Sequence, residues 1–261
     1  MFDETYLVVV KDEAMRRDRA VTMAAMLLCA SMYLIKGKLY ASWTQTSLQQ
    51  TLYGAIKELY QPSDVGDNLT LTQACILLSY WDASYPEESH RQLEWLERAF
   101  LHAKSGGLDQ TTSEVLIDRS RLIWACCVVR DRIISFSSRH SLKPHSAKNS
   151  WVPVTKEDFG LEVALPRYAD ASVRNHLIEA FLLLCQLSET IAEIMEFQQK
   201  LNLRIAGGGY SVGKQEILQV SQFDVRLREW KRGLQMWKSG ARVSNALDSR
   251  GAYFLWNVVA E

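Results

Sequence analysis

The 261-residue chain lacks an excess of charge of either sign. Lys and Arg together number 30, Asp and Glu together also number 30, and the formal net charge is zero. Such a balance creates no global field that would attract nucleic acid or an anionic membrane. The apolar runs are too short for a membrane span or a signal peptide. We therefore predict a soluble protein that has no membrane partner and does not contact nucleic acid through this chain alone.

Paired cysteines and closely spaced histidines are also missing. The five cysteines form no C-x-x-C pair and lie within apolar runs, where a thiol behaves as a small hydrophobe. The five histidines include no H-x-x-x-H or H-E-x-x-H spacing. We predict reduced core cysteines in an intracellular protein, no metal site and no cofactor.

Two sequence signatures of enzymes are absent as well. The stretch GGGYSVGK, residues 207–214, resembles a phosphate-binding loop, but no strand pattern precedes it and Gln215 follows the lysine where Ser or Thr is required. No G-x-S-x-G nucleophile elbow occurs either. These absences argue against a P-loop nucleotide site and a serine-hydrolase site.

Most of the chain carries apolar residues at helical spacing. One stripe near residue 70 consists of Leu71, Ala74, Cys75, Leu78 and Trp81. A following helix has Ser84 as its predicted N-cap and stops at Gly106-Gly107. The pattern predicts an all-α fold for residues 1–261, with seven or eight packed helices in a single domain. One long irregular loop is predicted at about 139–170, and loops of that length often carry function.

The stretch WACCVVRDRIISF, residues 124–136, places three charges in the middle of an apolar helix. On a helical wheel Asp131 lies at the centre of the stripe that contains Trp124 and Ile134, whereas Arg130 and Arg132 leave on two other sides. An unpaired buried carboxylate is costly, so Asp131 needs a partner on another element, and Arg139 is one candidate. The alternatives are a structural ion pair and a carboxylate at the base of a ligand pocket.

The order of several short motifs resembles the middle homology region of fungal zinc binuclear-cluster transcription factors. The motif T-x-x-Q-A-x-x-L-L-S matches residues 70–79, and A-x-x-x-G-L matches residues 103–108. An arginine-rich approach to a tryptophan and a D-R pair matches residues 119–132, with Ser138-Arg139-His140 in place of a G-R-P-like turn. The best match covers about 20–165, and residues 171–261 match only as long helices.

This resemblance implies an all-α regulatory domain that lies downstream of a DNA-binding zinc cluster and sometimes senses a small molecule. The chain departs from the family pattern because it contains no closely spaced set of six cysteines. The sequence leaves open whether the chain is a fragment or a stand-alone descendant. The apolar end AYFLWNVVAE favours a fragment and predicts self-association through the C-terminal helices.

Candidate site residues cluster around the opening of the predicted loop. If the protein is an enzyme, Asp131 and His140 are the candidate general acid–base groups. A pocket for a small hydrophobic metabolite is predicted from the aromatic and basic residues nearby, which are Trp81, Trp124, Arg132, Arg139, His140, His145 and Trp151. The alternative explanations are a solvated basic loop and tryptophans that only pack the core.

Two functions of different classes follow from these observations. The favoured one is a regulatory, ligand-sensing domain of a fungal-type transcriptional regulator without its own zinc cluster, located in the nucleus. The alternative is a stand-alone cofactor-independent enzyme of fungal secondary metabolism, located in the cytoplasm, that catalyses an isomerisation, cyclisation or dehydration on the same helical scaffold. A third hypothesis is a protein-interaction scaffold that forms homo-oligomers through its last helices.

Overall fold

A computed structural model describes residues 4–34, 42–61, 66–81, 91–109, 117–146, 153–160, 171–208 and 213–243. Within these ranges the chain forms seven α-helices and two short 3-10 helices and contains no β-strand. The α-helices are α1 (Glu4–Leu34), α2 (Ser42–Leu59), α3 (Asn68–Ser79), α4 (Arg91–Ser105), α5 (Ile117–Ser138), α6 (Ala171–Ala206) and α7 (Lys214–Val243). The prediction of an all-α fold with seven or eight helices is confirmed.

The helices group into two compact units, Met1–Cys127 and Val128–Glu261, and the boundary falls inside α5. In the first unit, α1 packs on α2 and α3, and α3 packs on α4. The core of this unit consists of fully buried aliphatic residues at helical spacing, including Val21, Ala25, Leu28, Ile56, Leu71, Ala74, Leu78, Leu96 and Ala99. The predicted apolar stripe of the third helix therefore faces the core, and Trp81 at its end is buried as well.

The start of α3 is fixed by an aspartate that sequence reasoning did not single out. The Asp67 carboxylate accepts hydrogen bonds from the backbone N–H groups of Leu69 at 3.1 Å and Thr70 at 3.3 Å. The Asp67 N–H in turn donates to Asp18 Oδ2 of α1 at 2.8 Å. An N-cap of this kind is worth about 1 kcal/mol, and here it also ties α1 to α3.

The end of α4 lies where the glycine pair predicted it. Gly107 has a φ of +67°, in the left-handed region that favours glycine, and the Leu108 N–H donates to the Ala103 carbonyl at 2.8 Å. The predicted N-cap Ser84 and the neighbouring Pro86 lie outside the described residues, and α4 is described from Arg91 onward.

In the second unit, α6 and α7 form an antiparallel hairpin. Trp237 Nε1 donates to the His176 carbonyl at 3.0 Å, and Trp230 Nε1 donates to the Leu183 carbonyl at 2.7 Å. Nearer the turn, an ion pair joins Arg204 to Glu216. The residue numbers of the contacting pairs increase along α6 and decrease along α7. The two helices therefore run in opposite directions. The turn after α6 contains Gly208, whose φ of +91° lies in the left-handed region that favours glycine.

The segment after α5 contains two short 3-10 helices, Pro144–Ser146 and Lys156–Phe159. Arg139 ends α5 in the left-handed region with a φ of 55°, and the His140 N–H donates to the Ser135 carbonyl at 2.9 Å. Residues 147–152 and 161–170 of the predicted loop lie outside the described residues.

Candidate functional site

The D-R pair lies in the core of the second unit. Both Asp131 and Arg132 have no exposed surface, and Arg132 is the largest fully buried side chain of the described residues. The Nε of Arg132 donates to the Ser146 carbonyl at 2.8 Å, which connects α5 to the 3-10 helix Pro144–Ser146. Burial lowers the pKa of Arg132, whereas the charges of Glu189 and Glu196 on α6 act in the opposite direction.

Burial also governs the ionisation of Asp131. It raises the pKa of this carboxyl, while the Ser146 hydroxyl and the charge of Lys143 act to lower it. Among the described residues, no donor lies within hydrogen-bond distance and angle of either Asp131 carboxylate oxygen. Arg139, the partner considered from the sequence, is exposed. The groups outside α5 that lower the pKa of Asp131 thus belong to Lys143 and Ser146.

The other predicted site residues lie in different environments. Trp81 is buried in the first unit, and half-buried Trp124 packs its ring edge-on to Phe100 with centroids 5.5 Å apart. Arg139 and His140 are exposed at the end of α5. The side chain of His145 and the whole of Trp151 lie outside the described residues. With Asp131 buried and His140 exposed, their proposed acid–base role stays a prediction.

A groove with a different lining lies in the first unit, between α2 and α4. It encloses about 560 Å³, within the size range of small-molecule sites. Its lining consists of one stripe from α2 and its end, Tyr53, Lys57 and Tyr60, and one stripe from α4, Arg91, Glu94, Trp95, Arg98 and Leu101. We refer to these eight residues as the α2–α4 groove. None of the eight belongs to the set of candidate pocket residues predicted from the sequence.

Cations and aromatic rings alternate along this groove. The Arg98 guanidinium lies 4.5 Å from the Trp95 ring centroid and 5.2 Å from that of Tyr60. Lys57 Nζ lies 4.7 Å from the Tyr53 ring centroid, and the Arg91 guanidinium lies 5.0 Å from the same ring. These distances are within the range of cation–π attraction. The lining therefore holds three cations close to aromatic faces, against one carboxylate, Glu94.

A buried hydrogen-bond chain begins at the groove wall. The Tyr60 hydroxyl and His102 Nε2 are 2.8 Å apart, and His102 Nδ1 is 3.2 Å from Asn68 Oδ1. Because an amide oxygen only accepts, Nδ1 carries the proton and donates to Asn68, and the Tyr60 hydroxyl donates to Nε2. These two hydrogen bonds connect Tyr60 with Asn68, the first residue of α3.

The ionisation of this chain is set mainly by burial. Burial lowers the pKa of His102, and the charge of Arg98 lowers it further, while the charge of Asp18 acts in the opposite direction. Burial likewise raises the pKa of Tyr60, and it raises the pKa of the neighbouring Cys75 thiol to about 12. In this hydrogen-bond chain, a neutral His102 imidazole therefore lies between the neutral Tyr60 phenol and the Asn68 amide.

The sequence did carry a signal for this groove. Tyr53, Lys57 and Tyr60 are spaced i, i+4, i+7, and Arg91, Trp95 and Arg98 repeat the same spacing, so each set shares one helix face. Mixed cationic and aromatic stripes are also common on solvated helix faces. Only the packing of α2 beside α4 distinguishes a groove from two such faces.

A second concavity of about 470 Å³ lies on the hairpin of the second unit. Its lining includes Phe223 and Arg226 of α7 and Glu193 of α6, and Arg226 is ion-paired with Glu193. Large apolar side chains of α7 are exposed, namely Ile217, Leu218, Val220, Val225 and Met236. Self-association through the C-terminal helices stays a prediction, because residues 244–261 lie outside the described residues.

The described residues also bear on metal binding, thiol chemistry and membrane insertion. No group of three or more His, Cys, Asp or Glu side chains in that part of the chain is arranged to hold a metal ion. All five cysteines are free thiols, and all but Cys126 are buried. Across the described ranges, no helix combines the length and the apolar character that crossing a membrane requires.

Comparison with known proteins gives one informative relationship. A protein named "Transcription factor" from Fusarium pseudograminearum (strain CS3096) is 26% identical to this chain over 221 residues. The match covers 75% of this chain and 24% of that protein, so the chain spans about a quarter of the length of its relative. No family model matches the chain. No solved structure matches it either. The chain is thus similar to a segment of a fungal transcription factor.

Proposed function

We propose that this chain is a regulatory domain of a fungal-type transcriptional regulator and acts in the nucleus. The observation that carries the proposal is the similarity to a fungal transcription factor, which extends over 75% of the chain. The described residues agree with an all-α regulatory domain, and the zero net charge agrees with a domain that leaves DNA contact to another part of the assembly.

We propose further that the domain senses a small molecule in the α2–α4 groove. Three features support this placement: a volume suited to a small ligand, polar groups that converge from two helices, and a floor of buried aromatic rings. The chain Tyr60–His102–Asn68 also connects the groove wall to the start of α3, so that a ligand pressed against Tyr60 would act on the packing of α3.

The alternative function, a cofactor-independent enzyme, requires Asp131 and His140 as general acid–base groups. The full burial of Asp131 and Arg132 and the bond from Arg132 to Ser146 favour a structural role for this pair. A general acid–base group must reach its substrate, and Asp131 has no exposed surface in the described structure.

A tethering experiment tests the proposed function. Residues 1–261 are fused to a bacterial DNA-binding domain, and expression from a reporter with the matching operator is measured in a fungal host. We expect the fusion to raise or lower expression relative to the DNA-binding domain alone. A reporter without the operator is the control. If the fusion and the DNA-binding domain alone give equal expression at equal protein levels, the chain is not a regulatory domain.

A further inference from the structure

We propose that the α2–α4 groove binds a small planar aromatic carboxylate, with Arg98 as the residue that recognises the anion. The ring of the ligand would lie against the parts of Tyr60 and Leu101 that remain exposed in the groove, and its carboxylate would pair with the Arg98 guanidinium, which is held over the Tyr60 and Trp95 rings. This inference rests on the proposed function, because it names the ligand class that the sensing groove takes.

The position of Arg98 gives the first argument. Its guanidinium lies over two rings, at 4.5 Å from the Trp95 centroid and 5.2 Å from the Tyr60 centroid. Within the described part of the chain, no carboxylate lies at ion-pair distance from it. A guanidinium that is held in place by stacking keeps its N–H fork for a planar two-oxygen acceptor, and less side-chain entropy is lost when the acceptor binds. A carboxylate has that geometry.

The charge balance of the groove gives the second argument. Lys57, Arg91 and Arg98 line it together with a single carboxylate, Glu94, although the whole chain has equal numbers of basic and acidic residues. The described residues of the groove thus carry a net positive charge. The field of Arg98 also reaches the interior, because it contributes to the lowered pKa of His102. An anion is the ligand charge that complements such a lining.

The aromatic lining gives the third argument and limits the size of the ligand. Of the three rings that line the groove, Tyr60 is half-buried and offers surface to a ligand, whereas Tyr53 and Trp95 are buried beneath the lining. Planar rings stack on such surfaces in an offset or edge-on arrangement. A volume of about 560 Å³ accommodates a ligand of one to three fused or linked rings and is small for a folded partner. An acidic peptide would use the cations without needing the rings.

Isothermal titration calorimetry of the purified chain with 2-naphthoate tests the proposal. 2-Naphthamide, which has the same shape and no charge, serves as the matched ligand. We expect one saturable site for the carboxylate and affinity for the amide that is weaker by about tenfold or more, because a charge-assisted pair is lost. No saturable binding of 2-naphthoate, or equal binding of the amide, would overturn the proposal.

Protein variants locate the binding. Arg98→Gln should weaken 2-naphthoate binding by about tenfold or more and leave amide binding nearly unchanged. Arg228→Gln is the matched control, because it makes the same charge change at a side chain of α7 that is 72% exposed. If Arg98→Gln reduces the helical signal in circular dichroism, Lys57→Gln at an exposed position of α2 replaces it, with a smaller expected loss.

The remaining outcomes are decisive as well. Unchanged affinity of a folded Arg98→Gln protein places the carboxylate elsewhere and contradicts the proposal. Displacement of 2-naphthoate by hexaglutamate at equal concentration would assign the groove to acidic peptides and overturn the ligand class. None of these results depends on transcription, so the groove can fail this test while the tethering experiment succeeds, and the reverse also holds.

Discussion

The Nε of Arg132 donates a 2.8 Å hydrogen bond to the backbone carbonyl of Ser146, and the arginine has no exposed surface. The bond holds the 3-10 helix Pro144–Ser146 against α5 within the second unit. Ser146 is itself fully buried. A buried guanidinium loses its hydration, so its contacts must offset that cost, and the charges of Glu189 and Glu196 contribute to this. Arg132 is therefore a structural anchor of the segment that follows α5.

Replacement of Arg132 by Met should destabilise the protein. The change leaves the Ser146 carbonyl without its donor and removes a positive charge that Glu189 and Glu196 face. We expect a loss of about 3 kcal/mol in the free energy of unfolding, measured by urea denaturation followed by circular dichroism. Arg139→Met, at an exposed position just past α5, should change it by less than about 0.5 kcal/mol. Equal effects of the two substitutions would contradict the anchor role.

Asp131 should make the protein less stable as the pH rises. Its folded-state pKa is raised by burial, so the folded protein retains the proton at a pH where the unfolded chain has released it. Between the unfolded and folded pKa values the folded state binds more protons, and stability therefore falls with increasing pH. The Asp131→Asn protein lacks this dependence. From about pH 4 upward its free energy of unfolding should rise relative to that of the wild type. Parallel pH profiles would contradict the raised pKa.

His102 should produce the opposite dependence. Burial lowers its folded-state pKa, so the unfolded chain binds the proton first as the pH falls. Stability from His102 is present above the unfolded pKa, which is about 6.5, and is lost below it. Protonation of Nε2 would also remove the acceptor for the Tyr60 hydroxyl. We expect the wild type to lose stability between about pH 7 and pH 5 relative to His102→Gln.

The exposed His140 offers a matched control for this measurement. His140→Gln removes an exposed imidazole at the end of α5 that takes no part in the Tyr60–His102–Asn68 hydrogen bonds, so it controls for the loss of an imidazole as such. If His102→Gln and His140→Gln give the same profile, the buried chain Tyr60–His102–Asn68 does not control the acid dependence.

Much of the fold was predictable from local sequence patterns. The stripe from Leu71 to Trp81 identified α3 and its buried face, and Gly106-Gly107 identified the end of α4, because helix period and left-handed glycine are properties of short stretches. The wheel also placed Asp131 on the buried side of α5. These features depend on residues within one or two helical turns.

Contacts between distant segments were harder to predict. Arg139 is the candidate partner that the sequence offers for Asp131, whereas the structure places Lys143 and Ser146 beside Asp131 and Arg132, because a 3-10 helix turns back toward α5. The N-cap role of Asp67 was not predicted, because an aspartate that precedes a helix can serve several other roles in a loop. The α2–α4 groove was missed because its two stripes are separated by more than thirty residues and meet only through packing.

The proposed function and the proposed ligand together require that an aromatic carboxylate in the α2–α4 groove changes a transcriptional output. The most direct test measures reporter expression from the tethered wild type, Arg98→Gln and Arg228→Gln fusions, with and without 2-naphthoate in the medium. We expect the compound to change expression through the wild type and Arg228→Gln fusions and to leave the Arg98→Gln fusion unaffected at equal protein levels. The same response from all three fusions, or no response from the wild type, would contradict it.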